Sequence, residues 1–279
     1  MLIRCWGSRG SVAVSGREYI KYGGDTTCVE VVGRSGDLII IDAGTGIRTL
    51  GNRLIKEKRF DINLLLTHAH WDHLSGFPFF APIYNEECSI KVYGPQPTQA
   101  SLKAIVSKTM KTPYFPIELE DIHAEITFLG MGNRGYSIGS VEITSIPLSH
   151  PNEGVGYRLD EDGKSFVFLT DNELTHRHPT GLDYGEYVKF AKGADLLFHD
   201  AEYKREEYGR TEGWGHSVYL DTVNFAFDSE VKALGLFHHN QDRTDDEIDE
   251  MVEVCRGLVA EKGSRMEVFA VACGTEIRL

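Results

Sequence analysis

Short apolar runs, broken by glycine, proline and acidic turns, dominate this chain and read as β-strands. The early runs are Leu2–Trp6, Cys28–Val32, Asp37–Asp42, Ile62–Leu66 and Ile90–Tyr93. Glu125–Leu129, Val141–Ile146, Val155–Leu159, Ser165–Leu169, Ala194–Phe198, Val231–Phe237 and Met266–Ala272 follow. Between Val155–Leu159 and Ser165–Leu169, Asp160-Glu-Asp-Gly163 signals a hairpin. Helical spacing predicts Ile47–Lys56, Thr98–Met110 and Val218–Phe227. A last helix opens on Thr244 and Glu247, a capping box. It carries Ile248, Met251, Val252, Cys255, Leu258 and Val259 on one face and stops at Gly263.

Strands outnumber helices, and no linker, charge block or repeat divides the sequence. We therefore expect one α/β domain over residues 1–279. Polar residues recur where the apolar runs stop: His68, His150, Asp171, His199 and His238. Strand ends that converge on one rim would bring them together, as ligand sites in α/β folds are built. Asp42, just before Ala43-Gly-Thr-Gly46, is either a turn former or a partner that orients a metal-bound histidine.

The densest chemistry follows the run Ile62–Leu66, in Thr67-His-Ala-His-Trp-Asp-His-Leu-Ser-Gly76. Neutral imidazole and ionised carboxylate are the usual nitrogen and oxygen ligands of zinc and similar ions. Without an ion, so many polar rings at the mouth of a core strand would be costly to desolvate. His68 and His70, one residue apart in an extended loop, can grip one ion. Asp72 and His73, on a starting helix, would face a second ion nearby. Zinc takes about four ligands, so further His or Asp must come from elsewhere.

Composition narrows the rest. A hydrophobic content of 41% over 279 residues supports a large core. The net charge of −13 argues against gripping nucleic acid across the whole surface, while leaving room for a small anionic substrate attracted by the ions themselves. Five scattered cysteines without CxxC spacing read as reduced thiols of a cytoplasmic protein. No signal peptide or membrane-length apolar run is visible. Phe77–Tyr84 reads as packing against a helix end rather than a cleft wall. The lysines at 103, 108 and 111 with Tyr114-Phe115 read as a solvated helix face, not a basic aromatic flap over an anion site.

Taken together, Asp42 in IDAGTG, the HxHxDH element at 68–73, His150 in PLSH, Asp171 in FLTDN and the late His238 resemble the metallo-β-lactamase superfamily of binuclear hydrolases. The resemblance implies a four-layer αββα sandwich with the site along one edge of the two sheets. It implies one ion held by His68, His70 and His150, a second by Asp72, His73 and His238, and Asp171 bridging them. His239 is the alternative to His238; the alternation of Leu234 and Leu236 favours His238. His123, His176 and His178 match no motif.

The C-terminal third is most similar to the ribonuclease Z and cyclic-phosphodiesterase branch. His199-Asp-Ala-Glu-Tyr203 is similar to its HEATF element, Gly215-His216-Ser217 to its HST element, and Leu236-Phe-His238 to its closing LTH. By that resemblance His216 contacts the substrate phosphate and protonates the leaving oxygen, with Asp72 also at the chemistry. Ribonuclease Z carries a tRNA-gripping arm between its counterparts of His150 and Asp171. Here a hairpin fills that interval, so tRNA is disfavoured and a small or cyclic phosphodiester favoured.

The expected reaction is attack on phosphorus by a hydroxide bridging two divalent ions, zinc first, manganese or iron as alternatives. The rivals are a thioester or lactone hydrolase of the same fold and a non-catalytic metal- or nucleotide-binding sensor. The sequence leaves room for a homo-oligomer.

Overall fold

The computed structural model describes residues 1–95, 99–130 and 135–279. Two seven-stranded sheets lie face to face. One contains β1 (Leu2–Gly7), β2 (Cys28–Val32), β3 (Leu38–Ile41), β4 (Asp61–Leu65), β5 (Ser89–Gly94) and β6 (Glu125–Gly130). Its partner contains β7 (Tyr136–Ile138), β8 (Val141–Pro147), β9 (Val155–Glu161), β10 (Lys164–Leu169), β11 (Leu196–Asp200), β12 (Ala233–Phe237) and β13 (Glu267–Ala270). The final strand, β14 (Glu276–Arg278), returns to pair with β1.

Each sheet is antiparallel on one side and parallel on the other. The strands β3 to β6 run parallel, as do β10 to β13. Parallel neighbours need a crossover, and a helix is its usual form. Accordingly α1 (Ile47–Glu57) links β3 to β4, and α2 (Gln99–Thr109) lies between β5 and β6. In the second sheet α3 (Tyr184–Ala191) links β10 to β11, and α4 (Arg205–Thr211) and α5 (Tyr219–Asp228) link β11 to β12. Helix α6 (Asp245–Glu261) links β12 to β13. The helices cover the outer faces, giving the αββα sandwich.

Strand alternation divides the core. Ile39 and Ile41 face the second sheet, where they join Tyr157, Phe166 and Phe168, whereas Ile40 faces outward to Leu50 and Leu54 of α1. Likewise Val167 and Leu169 face the helices that carry Val223 and Val252. Strands buried on both faces explain why the sequence shows continuous apolar runs there rather than a polar–apolar alternation. Among the elements the pattern did not reveal, β14 has three residues, α4 reads Arg-Glu-Glu-Tyr-Gly-Arg-Thr with no buried residue, and α3 is only eight residues long, burying Tyr187 and Ala191. Thr98, where the pattern starts a helix, lies outside the described residues. Phe77, Phe80 and Ile83 are buried in the same core as α1, so this segment does pack against a helix.

The cysteines are free thiols, four of them buried and Cys273 half-buried. No helix among the described residues is long and apolar enough to cross a membrane. At the start of α6 the capping box is formed in both directions, Glu247 N–H donating to Thr244 Oγ1 and Thr244 N–H to Glu247. Replacing Thr244 by Ala removes that cap and should lower the unfolding free energy by ~1 kcal/mol. Thr244→Ser should leave the urea midpoint close to wild type.

Candidate metal centre

The carboxyl ends of β3, β4, β8, β10, β11 and β12 meet along one rim, and each delivers a polar side chain. Asp42 follows β3, His68 lies beyond β4, His150 beyond β8, Asp171 beyond β10, Asp200 ends β11 and His238 follows β12. The two sheets are tied together here. Val155 N–H donates to the Thr67 carbonyl at 2.9 Å, and Tyr157 Oη–H to the Leu66 carbonyl at 2.6 Å. The loop after β1 adds reciprocal bonds, Gly10 N–H to the His239 carbonyl and His239 N–H to that of Ser8. Three of the strand ends are left-handed, with φ of 64° at Asp42, 53° at Asp171 and 57° at His238. Such conformations are disfavoured for non-glycine residues, and they concentrate at functional sites.

The fold gathers the residues of the HxHxDH element with the distant ones. His68, His70, His150 and Asp171 form one group, and Asp72, His73, His238 and Asp171 a second; within each, the donor atoms lie within 4.8 Å of one another. Asp171 is common to both. Its Oδ2 is 3.5 Å from His68 Nε2 and 3.9 Å from His150 Nε2, and its Oδ1 is 3.3 Å from both His73 Nε2 and His238 Nε2. Asp72 Oδ2 lies 3.1 Å from His238 Nε2 and accepts the Ser11 N–H at 2.9 Å. The element Trp71–His73 is a single turn of 3₁₀-helix that buries Asp72 and His73 together. His239 turns away, with its Nε2–H donating to the Val271 carbonyl.

Outer partners fix the rings. His73 Nδ1–H donates to Asp42 Oδ2 at 2.8 Å, and the same carboxylate accepts the Thr67 N–H and Oγ1–H. Asp42 thus orients a histidine as well as shaping its turn. His150 Nδ1–H donates to the Gly215 carbonyl at 3.0 Å, and His238 Nδ1–H to Glu202 at 2.9 Å. With Nδ1 committed in this way, Nε2 is the lone pair each ring offers, an arrangement typical of metal-ligating histidines. Close approach at His238 requires a glycine. A Cβ at Gly10 would lie 2.3 Å from His238 Nδ1.

The donors fit divalent cations on the chemistry of the site itself. The Nε2 atoms of His68 and His73 are buried with no hydrogen-bond partner, although buried polar atoms rarely go unpaired. His150 Nε2 and His70 Nδ1 face each other at 3.0 Å. Burial pushes the His68 pKa well below its ordinary value and that of His150 down to about 3, so both are neutral nitrogen donors. At His73 burial pulls the same way, but Asp72, Asp171 and Asp42 outweigh it and hold the pKa well above the usual range. At His238 the carboxylates of Asp171, Asp72 and Glu202 likewise overcome burial. A carboxylate field that retains protons on these rings also favours a metal cation in their place.

A third imidazole position adjoins the two groups. His216 Nδ1 donates to Asp200 Oδ2 at 2.6 Å and lies 3.3 Å from Glu202 Oε2; its ring stacks on His238 at 4.7 Å. Burial would lower its pKa, but Glu202 and Asp200 push it up to about 9. These two carboxylates were not singled out in the sequence. Their neighbour His199 was among the strand-end residues expected at the rim, and the structure corrects this. Successive strand residues face opposite sides, so His199 packs against Phe225 and Thr222 of α5 while Asp200 faces the site.

Two measurements follow. Asp42→Ala leaves the His73 Nδ1–H without its acceptor and should weaken divalent-cation binding by about 10–100-fold in chelator competition. Because His73 and His238 must lose protons to accept a cation, loading should release protons. Apparent affinity should therefore be weaker at about pH 6 than at about pH 8.

Residues 38–239 match the family described as the beta-lactamase superfamily domain. The chain is 26% identical over 271 residues to the ribonuclease Z of Haloarcula marismortui, a match covering 81% of this chain and 84% of that one. The metallo-beta-lactamase fold protein YhfI from Bacillus subtilis superposes with a TM-score of 0.71 at 15% identity, over 99% of this chain and 98% of its own. A diphosphatase from the PhnP family superposes with a TM-score of 0.68 at 16% identity, over 100% of this chain and 97% of its own. With its αββα layers, its rim of histidines and carboxylates and this span of matched residues, the chain belongs to the metallo-β-lactamase superfamily, within which it is similar to ribonuclease Z.

Proposed function

We propose that the chain is a binuclear metal-dependent phosphodiesterase acting on a small or cyclic phosphodiester. His68, His70 and His150 would hold one divalent ion, zinc first, and Asp72, His73 and His238 a second, with Asp171 shared. Such ions supply a lowered pKa for bound water and positive charge against phosphoryl oxygens.

The observation that carries the phosphodiester reading is the placement of His216. It stands beside both donor groups, 4.7 Å from the His238 ring and 5.3 Å from that of His150, with Nδ1 committed to Asp200. Its Asp200 and Glu202 partners keep the ring protonated near neutral pH, and Nε2–H is the remaining proton. An alkoxide leaving from phosphorus needs such a donor, whereas a thiolate leaves readily without one. The relatives named ribonuclease Z and the diphosphatase neighbour support chemistry at phosphorus. Against an RNA as large as tRNA stand the net charge of −13 and the interval 151–170, which is taken up by β9, β10 and their two-residue turn.

The decisive assay compares a bis-aryl phosphodiester with an aryl phosphomonoester and an aryl thioester. We expect turnover of the diester, lost on chelation and restored by added divalent metal. Preference for the monoester or thioester, or activity indifferent to chelator, would overturn the reading. His216→Ala should cut kcat by about 10²–10⁴-fold on a diester with an alkyl leaving group. It should cost much less when the leaving group is nitrophenolate, which needs no proton.

A further inference from the structure

Lys103, Lys108 and Lys111 are exposed, as the sequence implies, and Lys108 also borders a cavity. A cavity of about 540 Å³ opens between the end of α2, the segment that follows it and the metal loop. Trp71, Ser75, Phe79, Lys108, Tyr114 and Phe115 line it. Its size is that of a small-molecule site, and it neighbours the candidate centre: Trp71 in its wall belongs to the same 3₁₀ turn as Asp72 and His73. That turn buries Asp72 and His73 on one side and presents Trp71 on the other.

Three large aromatic side chains stand open here: Trp71 is 61% exposed, Phe79 56% and Tyr114 86%. Together they account for three of the eight exposed large hydrophobics among the described residues. Phe79 and Phe115 meet edge to face at 5.5 Å and 89°, which leaves ring faces free for a further aromatic. The turn bearing Phe79 is pinned by Tyr84 Oη–H donating to the Pro78 carbonyl at 2.6 Å. Lys108 contributes an exposed cation at the wall; among the described residues it has no carboxylate partner, whereas Lys103 pairs with Glu120. An unpaired ammonium in a chain of net charge −13 complements an anionic ligand.

We infer that this cavity is a subsite for an aromatic ring carried by the phosphoryl substrate, either a nucleobase or a simple aryl group. The ring stacks on Trp71 and Phe79, and the Lys108 ammonium faces the ligand's negative charge. The inference rests on the phosphodiesterase reading for its substrate but not for the pocket itself. It supplies a selectivity that the metal centre, which meets only the phosphoryl group, does not provide.

Equilibrium binding tests it without relying on turnover. Phenyl phosphate, adenosine monophosphate and methyl phosphate are titrated into the metal-loaded protein by calorimetry. Stacking on aromatic side chains should make the two aromatic ligands bind about tenfold tighter than methyl phosphate. Trp71→Ala and Phe79→Ala should remove that preference while leaving methyl phosphate binding unchanged, and Trp71→Phe should keep most of it. Lys108→Ala should weaken the aromatic phosphates and flatten their dependence on salt. Tighter binding of adenosine monophosphate than of phenyl phosphate identifies a nucleobase as the occupant; equal binding identifies any aryl ring. Equal affinity for all three ligands, or a preference untouched by Trp71→Ala, overturns the subsite. Kinetics separate the two failures. Diester turnover whose KM ignores Trp71→Ala and Phe79→Ala defeats the subsite alone. Thioester turnover whose KM rises about tenfold in both variants defeats the phosphodiester reading and keeps the aromatic subsite.

Discussion

The structure depends on a charge that has nowhere to go. Asp171 is buried at the seam of the two sheets, with four imidazoles between 3.3 and 3.9 Å from its oxygens. A carboxylate stripped of water is tolerated only when opposite charge or hydrogen bonds replace its hydration. His238 and His73 do so here, holding the Asp171 pKa well below the carboxylate range despite complete burial. Every other part of the rim serves that balance. Asp42 and Glu202 anchor two rings from behind, the Gly215 carbonyl anchors a third, and the left-handed strand ends aim the side chains inward.

Much of this was legible before any fold was known. The spacing His68-x-His70-x-Asp72-His73 is specific because metal chemistry constrains it locally, within one loop and one turn. The strand-end residues His150, Asp171 and His238 were visible as a recurrence, polar groups where apolar runs stop. Parallel strands place their carboxyl ends on one side of a sheet, so the recurrence had a geometric meaning.

What stayed hidden needed information that sequence pattern does not carry. Asp200 and Glu202 lie in the stretch His199–Tyr203, yet which of its members faces the centre depends on the pleat of β11, and the apolar run before it is buried on both faces. Without alternation, the run gives no parity, and His199 appeared as good a candidate as its neighbour. The aromatic cavity was hidden for a different reason. Trp71 and Tyr114 are 43 positions apart, and only the packing of α2 beside the metal loop brings their segments to one cavity.

The left-handed backbone at Asp42, Asp171 and His238 sets durability against activity. At each of these positions a glycine would adopt the observed angle with less conformational strain, whereas an L-residue there costs on the order of 1 kcal/mol. Random change filtered only for heat resistance would drift toward such relaxed substitutions and yield robust, inert sandwiches. Two carboxylates and an imidazole stand at these bends instead, so the rim holds its polar groups together with the backbone strain that placing them entails.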